Sequence, residues 1–570
     1  MRFEVWAPLA DDVRLELDDG TYPMARDARG SWRVERPAVS GETRYRFSVN
    51  GGQGVPDPRS RWQPDGVHGA SCVWDTSLFR DRKRAAFPET PLREVVVYET
   101  HVGTFTPEGT YAAMHRRLAY LRDLGVTHLE LMPLSTFPGE RGWGYDGVFS
   151  YAPHPAYGTP EELFALVEAC HELGLGVLLD VVYNHFGPDG NYLGHFGPYF
   201  TSHWNTPWGD AINFDGPGSD FVRAYVIDNA LMWIRDYGFD GLRLDAVQML
   251  IDSRATHVLE ELTTQVDAYA RETGRQILIT GESDKNNPRY VLPSSKGGYG
   301  LQAHWADEVH HTLHAFFTGE RDGYFADFGA LADVARALQE GYVFQGQYSA
   351  YRDRGHGRPP TGVRPEQMIV CAQNHDQIGN RAVGDRSGAR LPVERLRAIA
   401  ALVLLSPFTP MLFQGEEWAA KTPFLYFTDH RDPELAQQVT DGRRREFAHF
   451  RFHEFEVPDP QARETFVRSK LDWDEHTREP HAAMLEWHRD LLRLRREYLT
   501  RHAVDHEVRF DEQRRWLTMR VGRVLTVTNL SEHPQEVPVG ESLHEVLTST
   551  RSDAATNHVL PPWTVDVWRC

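Results

Sequence analysis

Between residues 95 and 420, short apolar runs rich in β-branched residues alternate with longer amphipathic stretches, and no other feature constrains the fold as tightly. Eight runs qualify as strands: VVVYETHV from Val95, HLELMPL from His128, GVLLDVVYNH from Gly176, FDGLRLDAV from Phe239, ILITGES from Ile277, LQAHWAD from Leu301, MIVCAQNHD from Met368 and MLFQGEEW from Met411. Helical periodicity fills the intervals in EELFALVEACHELG, SDFVRAYVIDNALMWIRDYG and THVLEELTTQVDAYARETG, and EPHAAMLEWHRDLLRLRREYL follows the last strand. Parallel strands need helical crossovers, so eight such units predict a closed (β/α)₈ barrel of the α/β class.

The flanks read differently. Residues 1–88 carry FEVWA, VRLEL, SWRVE and YRFSVN between Gly, Pro and Asp punctuation, the pattern of an N-terminal β-sandwich. RAAFPETPLREV is expected to link it to a barrel over 89–499. RRWLTMRV, VLTVTNL, HEVLTS and WTVDVWRC then predict a C-terminal all-β domain over 500–570. Three units suit a chain of 570 residues at roughly 100–200 residues per domain.

A formal charge of −20 repels phosphate backbones and anionic lipid, which predicts no nucleic-acid and no membrane partner and favours a neutral or cationic ligand. Cys72, Cys170, Cys371 and Cys570 are widely spaced, with no CxxC pair to suggest zinc or a disulfide scaffold. Reduced thiols in a cytoplasm fit that pattern. MRFEVWAPLADD lacks the basic and apolar regions of a signal peptide, and no apolar run is long enough to cross a bilayer.

Charge collects where strands end: DVVYNH at 180–185, RLDAV at 243–247, GES at 281–283 and QNHD at 373–376. The C-terminal ends of barrel strands open onto one face, so Asp245, Glu282 and Asp376 are expected to converge there. Singly, each has an ordinary explanation, because Asp, Asn or Ser past a strand often caps the next helix. Together they fit glycoside cleavage, in which two carboxyl groups flank the bond. Arg243 shares a strand face with Asp245 and favours its ionised, nucleophilic form. Glu282, after the apolar run ILITG, is the candidate proton donor, a role that needs a raised pKa.

RGWGYDGVFSY adds Trp143, Tyr145 and Asp146 as sugar contacts, with core packing the alternative for the aromatics, and His185 and His375 can bond ring hydroxyls. HxH and HExxH patterns are missing, and the histidines of DEVHHTLH lie on an expected helix without a partner motif, so neither a metal nor a cofactor is expected.

DVVYNH, GLRLDAV, GES and QNHD resemble, in order and on matching strands, the four signature regions of the α-amylase superfamily of glycoside hydrolases. The resemblance implies that Asp245 is the nucleophile, Glu282 the general acid/base and Asp376 the transition-state stabiliser. It also implies that Arg243, His185 and His375 bind the cleaved glucose. FEVWAPLADDVRLEL, VVYETHVGTFTPEGTY, WGYDGV, NHFGPDGNYL and QNHDQIGNRAVGD look most like the maltooligosyltrehalose trehalohydrolase subfamily. That closer likeness implies a carbohydrate-binding-like N-terminal sandwich and retaining hydrolysis of the α-1,4 bond beside the trehalose unit of maltooligosyl trehalose. The implied partner is that α-glucan oligosaccharide, handled by a monomer or weak dimer.

Two stretches depart from the family pattern: Gly281 stands where many relatives have Ala, and LQAHWADEVHH does not end in two Asp. Asn184 holds the calcium position of many α-amylases, but the other ligands are not recognisable and calcium is not expected. The rival enzyme reading is a glycogen or starch branching enzyme, which differs in using a sugar hydroxyl as acceptor. A non-catalytic carbohydrate-binding scaffold is the rival of another class, and loss of one of the three carboxylates would have marked it.

Overall fold

The computed structural model describes residues 1–570 apart from 38–41, 81, 83–86, 88, 448–456, 501–504, 540–542 and 552–558. Part of the expected linker RAAFPETPLREV and the boundary drawn at residue 88 lie outside the described residues. The eight barrel strands are β1 (Val97–Thr100), β2 (His128–Leu131), β3 (Gly176–Val181), β4 (Gly241–Leu244), β5 (Leu278–Gly281), β6 (Ala303–Trp305), β7 (Met368–Cys371) and β8 (Thr409–Phe413). They close a barrel in sequence order, β8 pairing with β1, and every neighbouring pair is parallel. Each strand coincides with one of the eight apolar runs. Val97, Leu178, Leu278, Trp305, Ile369 and Met411, from six of the strands, fill the interior with apolar side chains.

Helices cover the outside: α1 (Leu118–Leu124), α2 (Pro160–Glu172), α3 (Ser219–Met232), α4 (Val258–Thr273), α5 (Asp307–Thr318), α6 (Val393–Leu404) and α7 (His481–Leu494). The start of α2 shows how locally this is encoded. The Thr159 hydroxyl accepts from Glu162 N (3.2 Å), the Glu162 carboxylate accepts from Thr159 N (2.8 Å), and Pro160 takes the first helical position. The β5–β6 crossover has only the 3₁₀ turns Pro288–Tyr290 and Ser294–Lys296. Its text, NPRYVLPSSKGGYG, interrupts any helix with two prolines and three glycines.

Two antiparallel sheets precede the barrel, one of Arg2–Trp6, Ser31–Glu35 and Ala25–Arg26, the other of Gly20–Pro23, Val13–Leu17, Arg44–Val49 and Ser71–Cys72. Phe3 of the first meets Tyr45 of the second edge-on, with ring centroids 5.1 Å apart. They dock on the barrel through Trp6, stacked on Phe221 of α3 (4.8 Å, 12°), and through Arg80 Nη2 and Thr76 Oγ1, each 2.8 Å from the buried Asp236 carboxylate. After α7 comes a five-stranded antiparallel sheet of His506–Asp511, Trp516–Val521, Val524–Asn529, Thr564–Arg569 and Glu545–Ser549.

Candidate active site

In the parallel register Asp180 of β3 lies beside Arg243 of β4, so the two side chains share the barrel interior. Arg243 is fully buried, and its Nη1 donates to Asp180 Oδ1 (2.9 Å) and Oδ2 (2.8 Å) and to Asp245 Oδ1 (2.7 Å). Its guanidinium carbon sits 4.3 Å from the centroid of the Trp305 ring. The other Asp245 oxygen, Oδ2, accepts from Asn184 Nδ2 at 2.7 Å. Both oxygens are therefore held by donors, an arrangement that fixes the rotamer of the carboxylate.

Past Asp245 the chain enters the left-handed region at Ala246 (φ 39°), a strained conformation for a residue with a Cβ. That turn points Ala246 N at Glu282 Oε2, 2.8 Å away. Glu282 caps β5, and Arg243 Nη2 lies 3.7 Å from the same oxygen. Burial lifts the Glu282 pKa to about 8; Arg243 pulls it back, while the carboxylates of Asp245, Asp307 and Asp376 add to the rise. Gly281 beside it admits no larger residue without movement, since a Cβ would come within 2.8 Å of Leu301 Cδ1.

Asn374 caps the short helix His375–Gly379 by accepting from Gln377 N, which leaves Asp376 in the first turn at the mouth. Its side chain is 41 % exposed, against 11 % for Asp245 and 15 % for Glu282. Asp376 is thus the most open of the three carboxylates, and its Oδ1 accepts from Asn380 Nδ2 at 3.1 Å. His375 is buried between Glu99 Oε1 on Nδ1 (2.5 Å) and the Tyr145 hydroxyl on Nε2 (2.8 Å). Burial by itself would depress its pKa, but Asp376 and Glu99 outweigh it and raise it to about 9. The imidazolium donates to Tyr145, whose hydroxyl in turn donates to Asp180 Oδ2 at 2.6 Å. Burial raises Asp180 to about 6 although Arg243 opposes the shift.

Of the other residues singled out from sequence, His185 hydrogen-bonds Tyr145 O through Nε2 (3.0 Å) and stacks on Trp208 (4.3 Å, 7°), and burial lowers its pKa. Asp146 is half-buried, 3.9 Å from His430 Nε2. Tyr145 has its hydroxyl committed and one face on His375 (5.2 Å, 20°), so it ties the site together rather than standing free as a sugar platform. Trp143 is a wall, not a surface. It is 5 % exposed, donates Nε1 to Leu425 O (2.9 Å) and stacks on Phe424, with its edge against His375. The packing alternative describes it.

Sequence reasoning assigned nothing to Asp180, Glu99, Asp307 or Trp208. Asp180 and Glu99 read as polar interruptions within strands; a charged residue inside an apolar run was the available signal. Asp307, the first residue of α5, is pushed to about 7, first by burial and then by Asp376 and Asp284. Trp208 sits between the strands of a hairpin, Phe200–Thr206 and Gly209–Ile212, and is half exposed. Asn184 bonds Asp245 instead of joining a cluster of carboxylates. Among the described residues, no group of three or more His, Cys, Asp or Glu is arranged to hold a metal ion.

The family model described as the alpha amylase catalytic domain matches residues 73–197, and a domain of unknown function, DUF3459, matches 501–567. A malto-oligosyltrehalose trehalohydrolase from Arthrobacter ramosus is 47 % identical over 98 % of this chain and 98 % of its own length. One from Rhizobium sp. (strain M-11) is 45 % identical over 94 % and 91 %. A crystal structure of an alpha-amylase candidate from Salmonella typhimurium superposes with a TM-score of 0.91 at 38 % identity, covering 100 % of this chain and 97 % of that one. A 1,4-alpha-glucan branching enzyme from Corynebacterium jeikeium is more distant, 28 % identical over 73 % of this chain and 60 % of its own. Likeness of this degree along nearly the whole length establishes that the chain belongs to the malto-oligosyltrehalose trehalohydrolase family, within the alpha-amylase group of glycoside hydrolases.

Proposed function

We propose that the chain hydrolyses the α-1,4 bond next to the trehalose unit of maltooligosyl trehalose with retention of configuration, releasing trehalose and a maltooligosaccharide. One observation carries the mechanism: Asp245 is clamped by Arg243 and Asn184, while Glu282, a few ångströms from the same guanidinium, is buried so that its pKa is pushed up to about 8. Two carboxyl groups in such unequal surroundings divide into nucleophile and acid.

In the first step an Asp245 oxygen attacks the anomeric carbon, the glycosidic C–O bond breaks, and Glu282 gives its proton to the departing oxygen, so trehalose leaves as a neutral alcohol. Glu282, now ionised, takes a proton from water as that water attacks the anomeric carbon. The second step frees the maltooligosaccharide, restores Asp245 and reprotonates Glu282. Asp376, open at the mouth, accepts from ring hydroxyls and stabilises positive charge developing on the sugar, and the cationic His375, with both N–H groups taken by Glu99 and Tyr145, holds Tyr145 in place beside it.

A branching enzyme would run the same first step and pass the glycosyl group to a sugar hydroxyl. Incubation with maltooligosyl trehalose and, separately, with plain maltooligosaccharide discriminates the two. Free trehalose from the first and little product from the second supports the proposal; branched glucan from the second refutes it. No described helix is long and apolar enough to cross a membrane, and Cys170 and Cys371 are buried thiols. Both accord with a place in the cytoplasm.

A further inference from the structure

A second depression lies on the strand-end face beside the catalytic mouth. It has a volume of about 660 Å³, within the range of ligand sites, and is built by the loops after β1, β2 and β8 together with residues 64–66 of the N-terminal sheets. The partition between it and the mouth is short and locked: Asp429 Oδ2 accepts from Glu140 N (2.8 Å), and its Oδ1 lies 2.9 Å from Arg141 Nη2. On one side of that partition Asp146 lies 3.9 Å from His430 and, like Asp245, acts by its charge on His185; on the other, Glu140 and Arg431 line the depression.

Its chemistry is that of a neutral, hydroxyl-rich ligand. Three cations, Arg431, Arg463 and Lys470, face three acids, Asp65, Glu108 and Glu140, so neither an anion nor a cation is selected by net charge. Among the described residues Arg431 and Arg463 have no ion-pair partner, and both are exposed. The floor carries little side chain. Gly109 (φ 72°) packs against the backbone of Gly103, where an added Cβ would come within 2.5 Å of Gly103 O, and half-buried Phe466 supplies an apolar surface beside them. Close backbone, one aromatic ring and paired donors and acceptors match the alternating apolar faces and hydroxyl edges of a glucosyl unit.

Direction follows from the barrel. Glu282 stands on β5 and protonates the departing oxygen, so the leaving trehalose lies toward β5. In the closed strand order β1 is four strands from β5, on the opposite side, where the retained glycosyl chain must extend. We infer that this depression between the β1, β2 and β8 loops and the N-terminal sheets binds remote glucosyl units of the α-1,4-glucan chain, and so sets the preference for chain length. The inference rests on the hydrolysis proposed above.

The test compares maltooligosyl trehaloses with few and with many glucosyl residues. The wild-type KM should fall as the chain grows long enough to reach the depression. The double variant Arg431→Ala/Arg463→Ala should raise KM for the long substrate about tenfold, the worth of one lost charge-assisted hydrogen bond, while leaving kcat and the short substrate unchanged. Glu140→Trp, which fills the depression from an exposed position, should do the same. Trehalose release with a KM indifferent to length and to both variants overturns the inference and leaves the proposed reaction standing. No trehalose from any substrate sinks that reaction and the inference with it.

Discussion

Arg243 has no exposed surface, and one of its nitrogens serves two carboxylates, which makes the charge state of the site a property of a few residues. Lysine in its place would offer a point charge without the planar fork, and kcat should drop with little change in KM. Glu282→Gln removes the transferable proton but keeps the shape, so turnover should fall about a hundred- to ten-thousandfold with substrate binding retained, read from single-turnover kinetics. The pH dependence has a defined sign. Asp180 must be ionised to hold Arg243 and Tyr145, so activity should decline as pH falls through about 6. On the proposed mechanism Glu282 must be protonated, so activity should decline as pH rises through about 8. Asp307→Asn removes a neighbouring carboxylate and should move the alkaline limb to lower pH without moving the acid limb, a shift visible in kcat/KM profiles. Since Glu282 is raised above its ordinary 4.5, its contribution to stability is full below that value and is lost as pH climbs through about 8.

At the scale of elements, strand ends were legible because an apolar run that stops at a charge announces both a strand and its polar mouth. GLRLDAV and ILITGES gave Asp245 and Glu282 in this way. The crossover after β5 was equally readable from its prolines and glycines. Hidden were the pairings between strands. Glu99 lies 276 residues from His375, yet the two side chains meet at 2.5 Å, and nothing in VVVYETHV says which of its polar residues faces inward at that level. Trp143 was ambiguous because an indole serves a sugar platform and a core equally well, and only its bond to Leu425 O decides. Gly241 tests the register: a Cβ there would stand 2.0 Å from Leu278 O of β5. Gly241→Ala should therefore destabilise the protein by at least about 3 kcal/mol in urea unfolding, or prevent folding, through the barrel wall and not through any catalytic group.

Across the whole molecule, the N-terminal sheets are packed on the barrel and not tethered beside it, since Trp6 lies against Phe221 and Asp236 is sealed by Thr76 and Arg80. Trp6→Ala should cost about 3 kcal/mol in chemical denaturation while leaving kcat on short substrates unchanged. Retention of anomeric configuration, followed by NMR of the first product formed, checks the reaction itself. The sequence by itself determined the barrel, the sheets at either end and the acidic residues at which its strands stop, because strand and helix periods and the residues that end them are local properties of the chain. Tertiary structure alone decided which carboxyl keeps its proton, which aromatic ring is wall and which is rim, and where a second depression opens. Protonation and shape depend on burial and on charges brought within a few ångströms by closure of the barrel, and distance along the chain does not encode them.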